Sequence, residues 1–393
     1  MPATGTFRSP MSETEMAMVP LFDLRLEDED LDAVAETLRS GWLTQGPRVA
    51  AFEAAFADHL GTRHAVAVSS CTAALHLAYR AAGVGPSDEV IVPALTFVAT
   101  AAAVIHCGAT PVFADVIGVE DPSLDPEDVA SRITPRTRAV TAVHFAGYPA
   151  PVDALAVLCE EHGIAMVEDC AHSPSATLHG RKLGTWGLAG AFSFFSNKIL
   201  SAGEGGLLTT DDDDIAESAR RARSHCMTSG TWERHSRATD TYDVTGLGYN
   251  YRLDEPRAAL LLSRLARLEA DIERRRELTR SYRERLAGLE GLTVPFRDEQ
   301  VVDASCYIMP LMVDDPTRRR EVRRILRDEH GIQTTIMYPA VHELAAYSAR
   351  SPDLVLPHAE RAARSELTVP MFPHMTAEDL DRTVTALQNA LSG

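Results

Sequence analysis

The chain has 393 residues, 45% of them apolar, and a formal net charge of −18. This size predicts one large domain plus a smaller one. The negative charge argues against nucleic acid as a partner, and the longest stretch of low polarity, Val98 to Gly108, is too short to cross a bilayer.

The six cysteines show no metal-site spacing, and the start of the sequence lacks the apolar segment of a secretion signal. We therefore expect reduced thiols, no metal and a cytoplasmic location. The first residues, with Pro2, Gly5 and Pro10, predict a flexible arm over 1–16. We place a large domain at 17–265 and a small C-terminal domain at 266–393.

Short apolar runs alternate with helical patterns through the first half of the chain. Two helices come first, over 27–39 and 49–60. The expected strands are 64–68, 89–92, 111–115, 138–144 and 164–169, and the expected helices among them are 72–82, 97–107 and 152–161. This alternation predicts an α/β fold with a mostly parallel sheet covered on both faces. Ligands bind such sheets at the carboxyl ends of the strands.

The second half is less regular. Two short strands flank Lys198, and four aspartates at 211–214 open a helix that runs through Arg223, where acids suit the helix dipole. A polar excursion over 224–243 is long enough to be a mobile flap. A single long helix is expected over 254–289, and then strand 306–313, helix 318–329, strand 333–338 and helix 377–391 form a smaller α/β domain.

Lys198 has an apolar run before it and the glycine-rich turn Gly203-Glu204-Gly205-Gly206 after it. A desolvated lysine has a lowered pKa, and its free amine forms Schiff bases. A surface lysine in a loop is the ordinary alternative, so the interpretation depends on the rest of the chain.

Three other segments lie where strands are expected to end. Ser69-Ser70-Cys71-Thr72 opens a helix and suits a phosphate, although such residues also serve as plain N-caps. Phe97 could stack on a flat ring or fill the core. Asp169 ends a buried strand and needs a partner, either a protonated ring nitrogen or an arginine or N–H group.

Together these features fit pyridoxal 5'-phosphate (PLP). That cofactor needs a lysine for covalent attachment, an acid at the ring nitrogen, an aromatic on the ring face and donors for its phosphate. The order along the chain is phosphate turn, stacking aromatic, acid and lysine.

The sequence resembles the DegT/StrS-type sugar aminotransferases, within fold-type I of the PLP enzymes, over nearly its whole length. Six segments carry the resemblance: Ser69 to Leu77, Pro93 to Phe97, Glu168 to His172, Phe192 to Lys198, Gly203 to Gly206 and Gly248 to Arg252. The resemblance implies a large domain around a mostly parallel sheet and a smaller C-terminal α/β domain.

The resemblance also implies roles for individual residues. Lys198 holds the cofactor and moves the proton, Asp169 pairs with the ring nitrogen, and His172 lies near the ring hydroxyl. The remaining implied cofactor contacts are Cys71, Thr72 and Ser193 on the phosphate, Phe97 on the ring, and Asn250 on the phosphate of the neighbouring subunit of a homodimer. Cys71 stands where many members have glycine. Trp42, Tyr338 and His342 would face the substrate, although the residues alone leave Trp42 as a possible packing anchor.

The expected function is transfer of an amino group from L-glutamate, or glutamine, to a keto sugar nucleotide such as a dTDP-4-keto-6-deoxyhexose, in deoxyamino-sugar and antibiotic biosynthesis. Related dehydratases replace the lysine with histidine, so Lys198 favours amino transfer. The alternatives are an aminotransferase acting on a keto-cyclitol and a non-catalytic regulatory member. A nicotinamide enzyme is disfavoured because no Gly-x-Gly-x-x-Gly follows a strand.

Overall fold

The computed structural model describes residues 18–237, 241–350 and 352–392. The predicted arm over 1–16 lies outside the described residues. None of the described helices is both long enough and apolar enough to span a membrane. All six cysteines are free thiols, five of them buried.

The first half of the chain alternates strands and helices. Its elements are α1 (Asp28–Ser40), α2 (Pro47–Leu60), β1 (His64–Val68), α3 (Cys71–Ala81), β2 (Glu89–Pro93), α4 (Ala99–His106), β3 (Thr110–Ala114), α5 (Pro126–Arg132), β4 (Thr137–Val143), α6 (Val152–His162), β5 (Ala165–Asp169), β6 (Thr177–Leu178), β7 (Arg181–Lys182), β8 (Ala189–Ser193) and β9 (Gly206–Thr210). The expected elements are present within a few residues, and α5 and the β6–β7 hairpin are additions.

The second half contains α7 (Asp213–Ala222), α8 (Thr231–Arg237), α9 (Glu255–Leu265), α10 (Leu268–Leu286), β10 (Leu292–Thr293), β11 (Met309–Val313), α11 (Arg319–Asp328), α12 (Ala345–Ser348), α13 (Pro357–Ser365), β12 (Glu366–Val369) and α14 (Ala377–Ser392). Short 3-10 turns occur at Phe145–Gly147, Asp298–Val302, Pro316–Arg318 and Val341–Glu343.

Seven strands form the central sheet, in the order β1-β9-β8-β5-β4-β2-β3. Only β9 among them runs antiparallel to its neighbours. The carboxyl ends of β1, β2, β4, β5 and β8 therefore meet at one edge, together with the start of β9. The predicted mostly parallel sheet is confirmed.

The smaller sheet, β10-β11-β12, is antiparallel and lies wholly within 266–393. Its apolar cluster includes Leu278 and Tyr282 of α10 and also Val19, which bridges Ile332. The start of the described chain therefore packs with the C-terminal domain, even though the large domain follows it directly in sequence. The bridge between Val19 and Ile332 holds it there.

The single long helix expected over 254–289 is two helices. The helix is interrupted between Leu265 and Leu268. Arg267 lies at this interruption, and its guanidinium donates to the carboxylate of Asp30 in α1. The break keeps α9 packed on α1 and α2 while α10 continues to the small sheet. Helical periodicity continues across such a break, so the sequence pattern did not reveal it.

The strand expected over 333–338 reduces to one bridge between Thr335 and Thr368. Two residues further on, the N–H of Met337 donates to the carboxylate of Glu366 at 2.5 Å. A backbone donor bound by a side chain cannot continue a strand ladder, so the sheet ends there.

Candidate active site

A cavity of about 310 Å³ opens at the carboxyl edge of the central sheet. Its wall contains the residues that the sequence singled out for cofactor binding, with Asn250 as the exception: Cys71, Thr72, Phe97, Asp169, His172, Ser193 and Lys198. Tyr338 lines it as well. These residues come together because they end or follow strands whose carboxyl ends share that edge.

Lys198 follows β8 in a tight turn, with its N–H donating to the carbonyl of Phe195 at 2.8 Å. Its Nζ lies 4.4 Å from the centre of the Tyr307 ring. Burial lowers the pKa of Lys198 to about 8, although the nearby Cys71 and Asp169 act in the opposite direction. With that pKa about one lysine in ten is free amine at pH 7, and the free amine is the form that makes a Schiff base.

Asp169 ends β5 and is buried. Its Oδ2 accepts a hydrogen bond from Thr100 Oγ1 at 2.8 Å, and its Oδ1 accepts one from the N–H of Ala171 at 3.2 Å. The Cys71 thiol lies 3.9 Å from Oδ1. Burial raises the pKa of Asp169, and the hydrogen bond from Thr100 is the largest opposing effect.

Among the described residues no cationic side chain forms an ion pair with Asp169. A buried carboxylate in a cavity wall is stabilised by a cationic ligand group, and a protonated ring nitrogen is one such group.

The turn at the start of α3 forms the floor of the cavity. Ser70 is the N-cap, accepting a hydrogen bond from the N–H of Ala73 at 3.2 Å, so Cys71 and Thr72 stand in the first turn of the helix. Strand β9 passes directly beneath, because a Cβ on Gly206 would lie 2.2 Å from the backbone of Ser70. The helix terminus and the hydroxyls of Thr72 and Ser193 suit a phosphate.

His172 and Tyr338 meet across the cavity, with His172 Nε2 3.0 Å from the Tyr338 hydroxyl. Burial, and then the charge of Lys198, lower the pKa of His172 well below its usual value, so the imidazole is neutral at pH 7. The ring of Phe97 lies 5.5 Å from that of Tyr338 and is 54% exposed. An aromatic this exposed at a cavity is available to stack on a ligand.

The donor set therefore fits PLP: a lysine amine, a carboxylate, an exposed ring and a helix terminus lie around one cavity. Buried polar atoms without a partner among the described residues adjoin it, namely His172 Nδ1 and Asn197 Oδ1. Such atoms are uncommon in folded proteins unless a ligand or water satisfies them.

Three of the expected site residues lie elsewhere in this chain. The Trp42 ring packs on Trp232 and His235, at 4.8 Å and 5.1 Å between ring centres. The buried His342 faces Glu360, with Nε2 3.4 Å from Oε1. Asn250 is exposed and pairs with Ser224. None of the three lines the cavity.

Two residues of the site were not anticipated: Thr100, which binds Asp169 from behind the cavity wall, and Tyr307, which lines the cavity. Thr100 lies one helical turn after Thr96, and the two hydroxyls are 2.9 Å apart. Two threonines four residues apart after the end of a strand could have predicted that their hydroxyls lie close together near the site. Tyr307 packs on His172 with ring centres 4.4 Å apart. It comes 21 residues after the last residue of α10, in the expected strand 306–313, and the strand pattern does not indicate that it lines the cavity.

Comparisons with known proteins agree with this geometry. The model of the DegT/DnrJ/EryC1/StrS aminotransferase family matches residues 25–388. The chain is 39% identical over 371 residues to the spore coat polysaccharide biosynthesis protein SpsC of Bacillus subtilis (strain 168), covering 93% of this chain and 95% of SpsC.

Several solved structures are similar over 96% of this chain, and two of them serve as examples. DesV of S. venezuelae, solved with a ketimine intermediate, has a TM-score of 0.89 and 37% identity, with 100% of its chain covered. Spr1654 of Streptococcus pneumoniae in its PLP form has a TM-score of 0.89 and 25% identity, with 99% covered. With its family match, fold and half-buried lysine, the chain belongs to the DegT/DnrJ/EryC1/StrS family and is a PLP-dependent sugar aminotransferase of fold-type I.

Proposed function

We propose that the enzyme transfers the amino group of L-glutamate to a keto sugar carried on a nucleotide, a dTDP-4-keto-6-deoxyhexose, in deoxyamino-sugar biosynthesis. The observation that carries the proposal is the half-buried Lys198 in one cavity with Asp169, which favours amino transfer over the histidine chemistry of the related dehydratases. Two similar proteins support a sugar acceptor: SpsC, which is a polysaccharide biosynthesis protein, and CalS13 of Micromonospora echinospora, a sugar aminotransferase that is 31% identical to this chain.

The residues would share the work as follows. PLP, when bound, withdraws the electrons released when a C–H bond next to the amine is broken. Asp169 would hold the proton on the ring nitrogen of the cofactor, and neutral His172, oriented by Tyr338, would contact the ring hydroxyl. Lys198 anchors the cofactor and afterwards moves the proton, since its pKa of about 8 suits both accepting and donating near neutral pH.

We propose a cytoplasmic homodimer in which each site is completed by its neighbour. Asn250 is exposed on its own chain and does not line its own cavity, so a contact with a cofactor phosphate would be made in another subunit. Trp42 belongs to the same face of the chain as Trp232, which lines a cavity of about 290 Å³ with Arg252. That face offers aromatic and cationic groups to a substrate held by the partner.

Mixing two inactive variants tests the shared site. In a population of Asn250→Ala and Lys198→Ala chains, a mixed dimer carries one site with both residues intact. Activity should therefore rise above that of either variant alone. If mixing gives only the average of the two variants, each site is built from a single chain.

A substrate panel tests the acceptor. The purified enzyme with L-glutamate should aminate dTDP-4-keto-6-deoxyglucose, detected by mass, and Lys198→Ala should not. If the enzyme aminates a keto-cyclitol in preference to every sugar nucleotide, the acceptor is a keto-cyclitol and the proposed sugar nucleotide is wrong.

A further inference from the structure

The described wall of the cavity that fits PLP lacks a cationic side chain that could bind the carboxylate of the amino donor. Its described lining residues include no arginine, and its cationic side chain is Lys198, which the cofactor occupies. An amino acid donor carries at least one carboxylate that must leave water when the amine reaches the reaction centre. Such a carboxylate is stabilised by a charged donor, and arginine provides two parallel N–H groups for it.

A second cavity, of about 210 Å³, lies on the other side of the Lys198 turn. We call it the arginine cavity. Lys198 and Asn197 line both cavities, so the turn that carries Lys198 lies between them. The other walls come from 22–27, from the α9–α10 break and from 372–374.

Two arginines of this cavity, Arg264 and Arg275, are buried, with exposures of 6% and 5%. Their hydrogen bonds go to backbone carbonyls alone: Arg264 donates to Arg25 O and Ile199 O, and Arg275 Nη1 donates to Tyr307 O and Met371 O. Within 18–237, 241–350 and 352–392, no carboxylate forms an ion pair with either of them. The neighbouring Arg267 differs, because Asp30 binds its guanidinium through two oxygens.

Two buried guanidinium groups without a counter-ion are costly to a fold. Burial lowers the pKa of Arg275 to about 10 and that of Arg264 as well, and both remain charged at neutral pH. Three acids also line the cavity, Asp23, Glu27 and Asp271, and burial raises the pKa of Asp271 in spite of the three arginines around it. The Nε atoms of Arg264 and Arg275 nevertheless have no hydrogen-bond partner among the described residues, so each guanidinium keeps a free donor for a ligand.

We propose that the arginine cavity is the carboxylate subsite for the amino donor, in which Arg275 and Arg264 bind a carboxylate while the donor's amine faces Lys198. The inference rests on the proposed function, because it concerns an amino acid as donor. It places the two substrates at different parts of the chain. The donor's carboxylate binds near the interruption between α9 and α10, and the sugar nucleotide binds at the surface that contains Trp42 and Trp232.

The chain offers a matched control for Arg275. Arg276, the next residue of α10, also donates to a carbonyl of the same segment, from Nε to Ala304 O at 2.8 Å. It has Glu273 as an acid partner and lies outside both cavities. Arg275→Gln and Arg276→Gln therefore remove similar structural bonds, and only the first removes the proposed subsite.

Capture of the bound cofactor by two alkoxyamines tests the subsite without turnover. Aminooxyacetate carries a carboxylate, whereas methoxyamine does not, and both change the absorbance of the holoenzyme. Arg275→Gln should slow capture by aminooxyacetate roughly 10- to 100-fold, the effect of losing a hydrogen bond to a charged group. Capture by methoxyamine should be unchanged, Arg276→Gln should behave as wild type, and Arg275→Lys should recover part of the rate.

Equal slowing of both alkoxyamines would overturn the proposal, since a structural arginine affects access for either reagent. No slowing of either would also overturn it. Conversion of the cofactor to its amine form by L-glutamate and by L-alanine distinguishes the carboxylates: loss with glutamate alone indicates the side-chain carboxylate, and loss with both indicates the α-carboxylate. If wild type converts with neither, the proposed donor fails, while the alkoxyamine pair still reports on the arginines.

Discussion

The two cavities that meet at Lys198 differ in how their charges are satisfied. In the cofactor cavity the buried carboxylate of Asp169 receives hydrogen bonds from a hydroxyl and a backbone N–H, and the wall is otherwise mainly apolar or aromatic. In the arginine cavity two guanidinium groups donate to carbonyls and form no ion pair among the described residues. One cavity therefore holds a carboxylate without a cationic partner and the other holds guanidinium groups without an acidic partner, and the proposed carboxylate subsite rests on this difference.

This difference has a kinetic consequence. A residue of the cofactor cavity should affect both halves of the reaction, because both pass through the same cofactor. A residue of the arginine cavity should affect only the half that uses the amino donor. Each of the following experiments can break or sharpen that contrast.

Asp169→Asn should give the largest effect, a loss of roughly 100- to 1,000-fold in turnover, comparable to removing a group that stabilises charge in the transition state. Both half-reactions should slow together in single-turnover absorbance measurements. The melting temperature should change little, because an amide of the same shape retains the space and removes a buried charge.

Asp303→Asn is the control for that variant. Asp303 also accepts a threonine hydroxyl, that of Thr177 at 2.7 Å, but it lies outside both cavities. It should leave turnover unchanged. A similar loss in both variants would mean that Asp169 acts on folding rather than on the cofactor.

The pH dependence of cofactor attachment should follow Lys198. Burial lowers its pKa from 10.5 to about 8, and only the neutral amine attacks the cofactor aldehyde. The rate at which the apoenzyme captures PLP should thus rise about tenfold per pH unit below 8 and level off above it. A rate that keeps rising to pH 10 would show that Lys198 is an ordinary, solvated lysine.

Thr100→Val should give the smallest effect, about tenfold or less in turnover, because it removes one hydrogen bond to a carboxylate that keeps its N–H partner. That hydrogen bond lowers the pKa of Asp169. Its loss raises that pKa, so the acidic limb of the pH–rate profile should move to higher pH in both half-reactions.

Thr177→Val removes the matching hydroxyl beside Asp303 and should leave the profile in place. An unchanged profile in Thr100→Val would mean that the backbone N–H of Ala171 alone fixes the carboxylate.

The sequence by itself determined the parallel sheet and most of the cofactor cavity. Alternating buried strands and amphipathic helices place strand ends at one edge, so Cys71, Phe97, Asp169 and Lys198 could be grouped without coordinates. This succeeds because parallel strands share a direction, which turns order along the chain into proximity in space.

Only the tertiary structure decided what lies behind Lys198. Arg264 and Arg275 lie in a stretch whose arginines and glutamates are typical of a solvated helix face, and helical periodicity hides the break at Arg267. Which arginine is neutralised by an acid, and which is buried without one, depends on contacts with α1, Tyr307 and Met371. Burial and charge compensation are properties of such distant contacts, and for that reason a local pattern does not contain them.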